Sequence, residues 1–135
     1  MNNDVKQLLL ADGQSIPQEG FGLYKIIDQS TITSAIKYAY DAGYRLFDTA
    51  QLYKNEAEVG NALQELGLPR EDLFITTKVS EPNQGFKQTI ASVKDSLQKL
   101  RLDYVNLLLI HWPIERAFFD TWAALEELKK EIDNF

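Results

Sequence analysis

Hydrophobic and polar positions alternate along this chain as short apolar runs separated by longer amphipathic stretches. Near the start, Lys6–Leu10 and Ser15–Pro17 flank Asp12-Gly13, a pair that tolerates the positive φ of a tight turn, so the segment 6–17 predicts a β-hairpin. A short strand is expected at Gly20–Leu23. A helix follows at Thr31–Ala42, with Ile32, Ala35, Ile36 and Ala39 on one face and Gly43 at its end. Tyr44–Asp48 predicts the next strand. Asn55 and Glu58 have capping-box spacing, so a second helix is expected to open at Asn55, present Val59, Ala62, Leu63 and Leu66, and stop at Gly67. Leu73–Lys78 predicts a third strand, and about Phe86–Leu100 a third helix that aligns Ile90, Val93, Leu97 and Leu100. The fourth strand is expected at Tyr104–His111. The last helix is expected at about Phe119–Ile132, carrying Trp122, Leu125 and Leu128.

The order is therefore a hairpin and then βα four times: an α/β fold in a single domain, 1–135, with the βα units over 20–135. Strands and helices alternating at these lengths imply parallel strands joined by right-handed crossovers. Val105–Ile110 is apolar nearly throughout, as expected for a strand covered on both faces. Two architectures accommodate four βα units: a small open doubly wound sheet, or half of an eight-stranded (βα) barrel. The first βα loop, Gly22-Leu23-Tyr24-Lys25, lacks the glycine-rich phosphate loop of dinucleotide-binding open sheets. The pattern alone leaves both open.

Composition narrows the function. With 135 residues the chain is long enough for one real core, and its net charge of −6 comes without any basic stripe, which disfavours nucleic acid as a partner. Cysteine is absent, which excludes disulfides and thiolate-bound metals and fits a cytoplasmic origin. A single histidine argues against a metal site. The first residues lack the basic start and apolar stretch of a signal peptide, and the longest apolar run is too short to span a membrane.

The polar residues that interrupt the strands gather at one end. Asp48 ends the second strand, Tyr53 lies just past it, Lys78 ends the third and His111 ends the fourth. In parallel βα architectures these ends face one way, and catalytic residues collect there. A chemistry can be built from them. Tyrosine is a weak acid with a pKa of about 10, and a neighbouring ammonium favours its anion, so Tyr53 beside Lys78 is a usable proton donor. Asp48 can pair with Lys78 and keep it charged, and His111 can hydrogen-bond an oxygen on which negative charge develops. Such a set suits protonation of a carbonyl oxygen, and a reduction would need hydride from a cofactor. Each residue taken singly has a plain structural reading: a turn former, a packed loop tyrosine, a solvated lysine, a structural histidine. Their coincidence at one rim favours the chemical one.

The stretch Gly43-Tyr44-Arg45-Leu46-Phe47-Asp48-Thr49-Ala50, followed by Tyr53-Lys54-Asn55-Glu56 and Val59-Gly60, resembles the aldo-keto reductase signature. Thr76-Thr77-Lys78 resembles the lysine strand of that family and Leu108-Leu109-Ile110-His111-Trp112-Pro113 its histidine strand. Phe21-Gly22-Leu23, and Thr121-Trp122 with Leu125-Glu126-Glu127-Leu128, extend the likeness over nearly the whole chain. The resemblance implies a TIM-type (βα)8 barrel whose bottom is closed by the hairpin. It implies NADPH-dependent reduction of small aldehydes or ketones to alcohols, with Tyr53 as general acid, Lys78 and Asp48 as its partners, and His111 orienting the carbonyl. It also implies that Gly22, Leu23 and Asp48 border the cofactor and that Tyr24 and Trp112 line the substrate pocket.

Members of that family have eight βα units, and this sequence holds four: a half-barrel, read as truncated. The family residues that follow strands five to eight, which grip most of the cofactor, have no counterpart here, so NADPH binding is expected to be weak. A half-barrel also leaves two strand edges open, which favours a homo-oligomer. The competing expectation is an inactive remnant or assembly module that keeps the four residues without turnover.

Overall fold

The computed structural model describes residues 5–131. A two-stranded antiparallel ribbon comes first, β1 (Gln7–Leu9) with β2 (Ser15–Pro17), its turn carrying Gly13 at φ +87°. Four βα units follow. They are β3 (Gly20–Gly22) and α1 (Gln29–Asp41), β4 (Leu46–Asp48) and α2 (Glu56–Leu66), β5 (Phe74–Val79) and α3 (Phe86–Leu100), then β6 (Leu107–Ile110) and α4 (Phe118–Glu131). The sequence expectation for the last helix ran on to Ile132, which lies outside the described residues. None of these helices is long and apolar enough to cross a membrane.

Strand order settles which architecture the rhythm encodes. The sheet runs β3-β4-β5-β6, all parallel, in sequence order. A doubly wound sheet reverses its order at a switch point, and this one does not. Like-handed crossovers without reversal put all four helices on one face, and successive helices do pack against one another. This is half of a (βα)8-type barrel. The hairpin lies at the strands' N-terminal end, where Leu10 and Gln14 share a cavity wall with Phe74 and Leu107.

Local chemistry explains the helix boundaries. Asp28 caps α1, accepting from the Thr31 N–H at 3.0 Å, and Ile32, Ile36 and Ala39 form its buried face. Gly67 closes α2 in the left-handed region that suits glycine. Those faces meet Leu23, Phe47, Ile75 and Val105 in the main core, while Val79, Val93 and Leu128 form a second cluster under α3 and α4. Each fully buried aliphatic or aromatic side chain contributes roughly 1.5–3 kcal/mol, so this one-sided core is a main source of the fold's stability.

Two expectations fail at the same border. The fourth strand is not covered on both faces: β6 is only half-buried and Leu109 is 38% exposed. Trp122 does not join the buried face of α4, which consists of Thr121, Ala124 and Leu128; it is 57% exposed and donates from Nε1 to Glu126. Leu109 pairs with Lys78 on the face of the sheet away from the helices, and Trp122 lies off the buried face of α4. Periodicity reports which side of an element is apolar, and it does not supply the neighbour.

Candidate active site

Strand register sets the site. Gly22 lies opposite Asp48, and Asp48 opposite Thr76, so Lys78 projects one pleat beyond Asp48 on the adjoining strand. Tyr53 closes a short 3-10 turn, Gln51–Tyr53, and the following Lys54 takes a left-handed φ of 58°, which turns the chain into α2.

These placements bring three of the four expected residues into direct contact. The Lys78 ammonium, 13% exposed, forms an ion pair with Asp48 Oδ1 and donates to the Thr49 carbonyl at 3.1 Å and to Tyr53 Oη at 3.2 Å. An ammonium has three donors, and all three are engaged. It lies 4.8 Å from the centre of the Tyr53 ring as well. Negative charge left on Oη after proton donation would therefore meet a fixed cation, itself balanced by Asp48.

His111 stands just past β6, its backbone N–H donating to the Val79 carbonyl at 3.1 Å. It reaches the cluster through Tyr53, whose ring meets the imidazole edge-on at 5.8 Å, and it stacks on Trp112 at 4.1 Å. Burial holds the imidazole pKa below its usual value, the Lys78 ammonium lowers it further, and Asp48 and Glu81 oppose the shift. The imidazole is thus biased toward its neutral form, and its Nδ1 is buried without a hydrogen-bond partner. On the opposite flank the Tyr24 ring approaches Tyr53 at 5.0 Å. Tyr24, Tyr53, His111 and Trp112 make one aromatic row along the rim, with Tyr24 and Trp112 its exposed ends.

The residues expected beside a cofactor divide. Gly22 is exposed, and a Cβ there would meet nothing within 4 Å, so the strand end beside Asp48 is open and flat. Leu23 is fully buried in the main core, with its N–H on the Asp48 carbonyl and its own carbonyl accepting from Asn55. Its side chain belongs to the packing of the main core.

Sequence reasoning missed the buried polar residues behind the rim. Asn55 precedes α2, as expected, and makes no capping bond; the capping-box reading fails. Its side chain is fully buried, donates to the Leu23 and Ile26 carbonyls at 2.8 Å each, and accepts from Thr49 Oγ1 at 2.6 Å. It ties the loop bearing Tyr24 to the loop bearing Tyr53. Gln51, Glu56 and Thr77 are buried too. A usable signal existed: hydroxyls at Thr76 and Thr77 in an apolar strand need partners when buried.

The aldo/keto reductase family profile matches residues 20–131. The chain belongs to the aldo/keto reductase family. It is 45% identical over 122 residues to glyoxal reductase of Bacillus subtilis, covering 90% of this chain and 44% of that protein. Among solved structures, an aldo/keto reductase from Brucella melitensis superposes with a TM-score of 0.90 at 43% identity, over 97% of this chain and 50% of that one. A Bombyx mori aldo-keto reductase in complex with NADP gives 0.83 at 29% identity, over 94% and 47%. The chain spans about half the length of the curated relatives it matches. Four βα units out of an aldo-keto reductase barrel's eight account for that share.

Proposed function

We propose that this aldo/keto reductase chain serves NADPH-dependent reduction of small aldehydes and ketones to alcohols, with Tyr53 as the general acid. The observation that carries the reading is the Lys78 ammonium bridging Asp48 and Tyr53 Oη. The residues present fit the reacting end of the cofactor: Gly22 offers an open face beside the Asp48 carboxylate. When bound there, NADPH would supply the hydride for the carbonyl carbon and be oxidised to NADP⁺. Tyr53 Oη donates the proton to the carbonyl oxygen, so C=O becomes CH–OH. Lys78 meets the charge left on the phenol, Asp48 keeps Lys78 in place, and neutral His111 orients the carbonyl by hydrogen bonding. Tyr24 and Trp112 flank the substrate as apolar walls. The reading locates this reaction in the cytosol, in keeping with a cysteine-free composition.

The test is NADPH oxidation followed by absorbance with glyoxal as substrate. Tyr53→Phe is expected to lower kcat/KM by at least about 100-fold, the lower end of what a general acid contributes. Equal rates in the two proteins would remove Tyr53 from the mechanism. No oxidation by either would favour the second reading, an assembly module or remnant without turnover.

A further inference from the structure

The Tyr53–Lys78 contact stands at 3.2 Å, the outer limit of an N–H···O hydrogen bond. A displacement of a few tenths of an ångström loses it. The turn that carries Tyr53 has little of its own to prevent such a displacement. Two weak backbone bonds close it, Tyr53 N–H to the Ala50 carbonyl at 3.1 Å and Lys54 N–H to the Gln51 carbonyl at 3.3 Å. The next residue is a lysine in the left-handed region. Something outside the turn must hold it.

The Gln51 side chain is buried, and every hydrogen-bonding position of its amide is filled. Oε1 accepts from the Ser80 backbone N–H at 2.9 Å, from Asn83 Nδ2 at 2.9 Å and from Ser80 Oγ at 3.3 Å. Nε2 donates to Ser92 Oγ and Ser96 Oγ, each at 3.1 Å. Gln51 stands two residues before Tyr53, and Ser80 two residues after Lys78. The bonds therefore close a ring: Gln51 amide to Ser80, along the chain to Lys78, across to Tyr53 Oη, and back to Gln51. Glu56 closes the other side. Its carboxyl accepts from Thr77 Oγ1 at 2.7 Å and from Ser96 Oγ at 3.1 Å. Thr77 adjoins Lys78, and Ser96 is shared with Gln51. Tyr53 and Lys78 are thus each flanked, before and after in the chain, by a residue bonded to the other's segment.

We propose that Gln51 is a positioning residue for proton transfer, its buried amide fixing the distance between the Tyr53 phenol and the Lys78 ammonium, with Glu56 as its companion. The proposal rests on Tyr53 being the acid. Mere satisfaction of buried polar groups would explain the bonds equally well, so the test must read the contact itself. A polar cavity of about 240 Å³ lined by Gln51, Glu56, Ser80, Asn83, Ser92 and Ser96 adjoins the amide. Water entering there can satisfy the partners of a lost amide, so its removal is compatible with folding.

Tyrosine labelled with ¹³C at Cζ reports the hydrogen bonding of each phenol. Tyr53→Phe assigns the Tyr53 resonance, and Lys78→Met gives its position with the contact broken. Gln51→Met, similar in length and without polar atoms able to replace the amide, is expected to move the resonance most of the way to the Lys78→Met position. Gln51→Glu still accepts from the Ser80 N–H, Ser80 Oγ and Asn83 Nδ2 but loses the two bonds donated to Ser92 and Ser96, and is expected to hold the resonance nearer the wild-type position than Gln51→Met does. Leu128→Ala serves as the control for lost stability and is expected to leave the resonance in place. An unmoved resonance in Gln51→Met, with stability lowered as in Leu128→Ala, would reduce Gln51 to a packing role. If Gln51→Met does not fold, Ser92→Ala removes one anchor of the amide; a smaller shift in the same direction supports the proposal, and none overturns it. With turnover in hand, kcat of Gln51→Met is expected to fall roughly 10- to 100-fold at unchanged KM. The resonance is read without NADPH or substrate. A wild-type chain without turnover would therefore sink the reductase reading and leave this one to be decided by the resonance.

Discussion

All three protons of Lys78 Nζ are engaged, on Asp48, the Thr49 carbonyl and Tyr53, and the cation that results governs His111 as well. Because burial and this ammonium both disfavour imidazolium, the folded chain binds fewer protons than the unfolded one just below pH 6.5. His111 accordingly withdraws stability as pH falls from 6.5 through its lower folded value, and none above. The chain has one histidine, so its imidazole proton resonance is unambiguous. Its midpoint is expected below 6.5 and is expected to rise in Lys78→Met, where the cation is gone and Asp48 still faces the ring. A wild-type midpoint at or above 6.5 would contradict this account. Asp48, Tyr53, Lys78 and His111 were legible in the sequence because strand ends face one rim whatever the packing. Gln51 and Asn55 were not. An amide shows no preference for burial until its partners, on other elements, are known.

Among the elements, α2 meets the backbone at the end of α3 at Gly60. A Cβ there would stand 2.7 Å from the Leu100 carbonyl oxygen, a backbone atom that cannot rotate aside. In an isolated helix Gly→Ala gains up to about 1 kcal/mol, and overpacking of this kind costs about 1–3 kcal/mol. Gly60→Ala is therefore expected to lower the stability measured by urea unfolding, and a higher midpoint would show that the helices can separate freely. The sequence located α3 to the residue and the other helices within a turn, since 3.6-residue periodicity accumulates over many positions. It overran β3, β4 and β6, because three or four residues carry too little pattern to mark where pairing ends. It gave Trp122 a buried place because an aromatic on the apolar stripe looks the same whether or not something covers it.

For the whole molecule, the decisive fact is a sheet with two free edges among the described residues, β3 and β6. Leu109 on β6 and Trp122 and Phe119 on α4 are exposed, Phe119 at 77%, and Trp122 lines an open cavity of about 370 Å³ with Leu107 and Leu108 of β6. Unpaired parallel edges and apolar side chains together favour association. We propose that these 135 residues, when expressed alone, pair with a second copy, β6 of one beside β3 of the other. Sedimentation at micromolar concentration is expected to show a dimer or larger species, and a well-folded monomer would refute it. The alternation of strand and helix was legible as a half-barrel once the strand order was known. The periodicity left that order open, because it depends on which strands pair across long loops; the resemblance to the aldo-keto reductases supplied it. The Gln51 amide carries the same dependence into the site. Its partners lie 29 to 45 residues further along the chain, on the end of β5 and on α3. Closing loops of that length takes entropy that local turns do not require. The tyrosine turn can form its backbone bonds early, yet it cannot take its final pose until two later βα elements have docked. The geometry of the site thus depends on β5 and α3 being docked beside the turn, and a chain that is merely collapsed does not possess it.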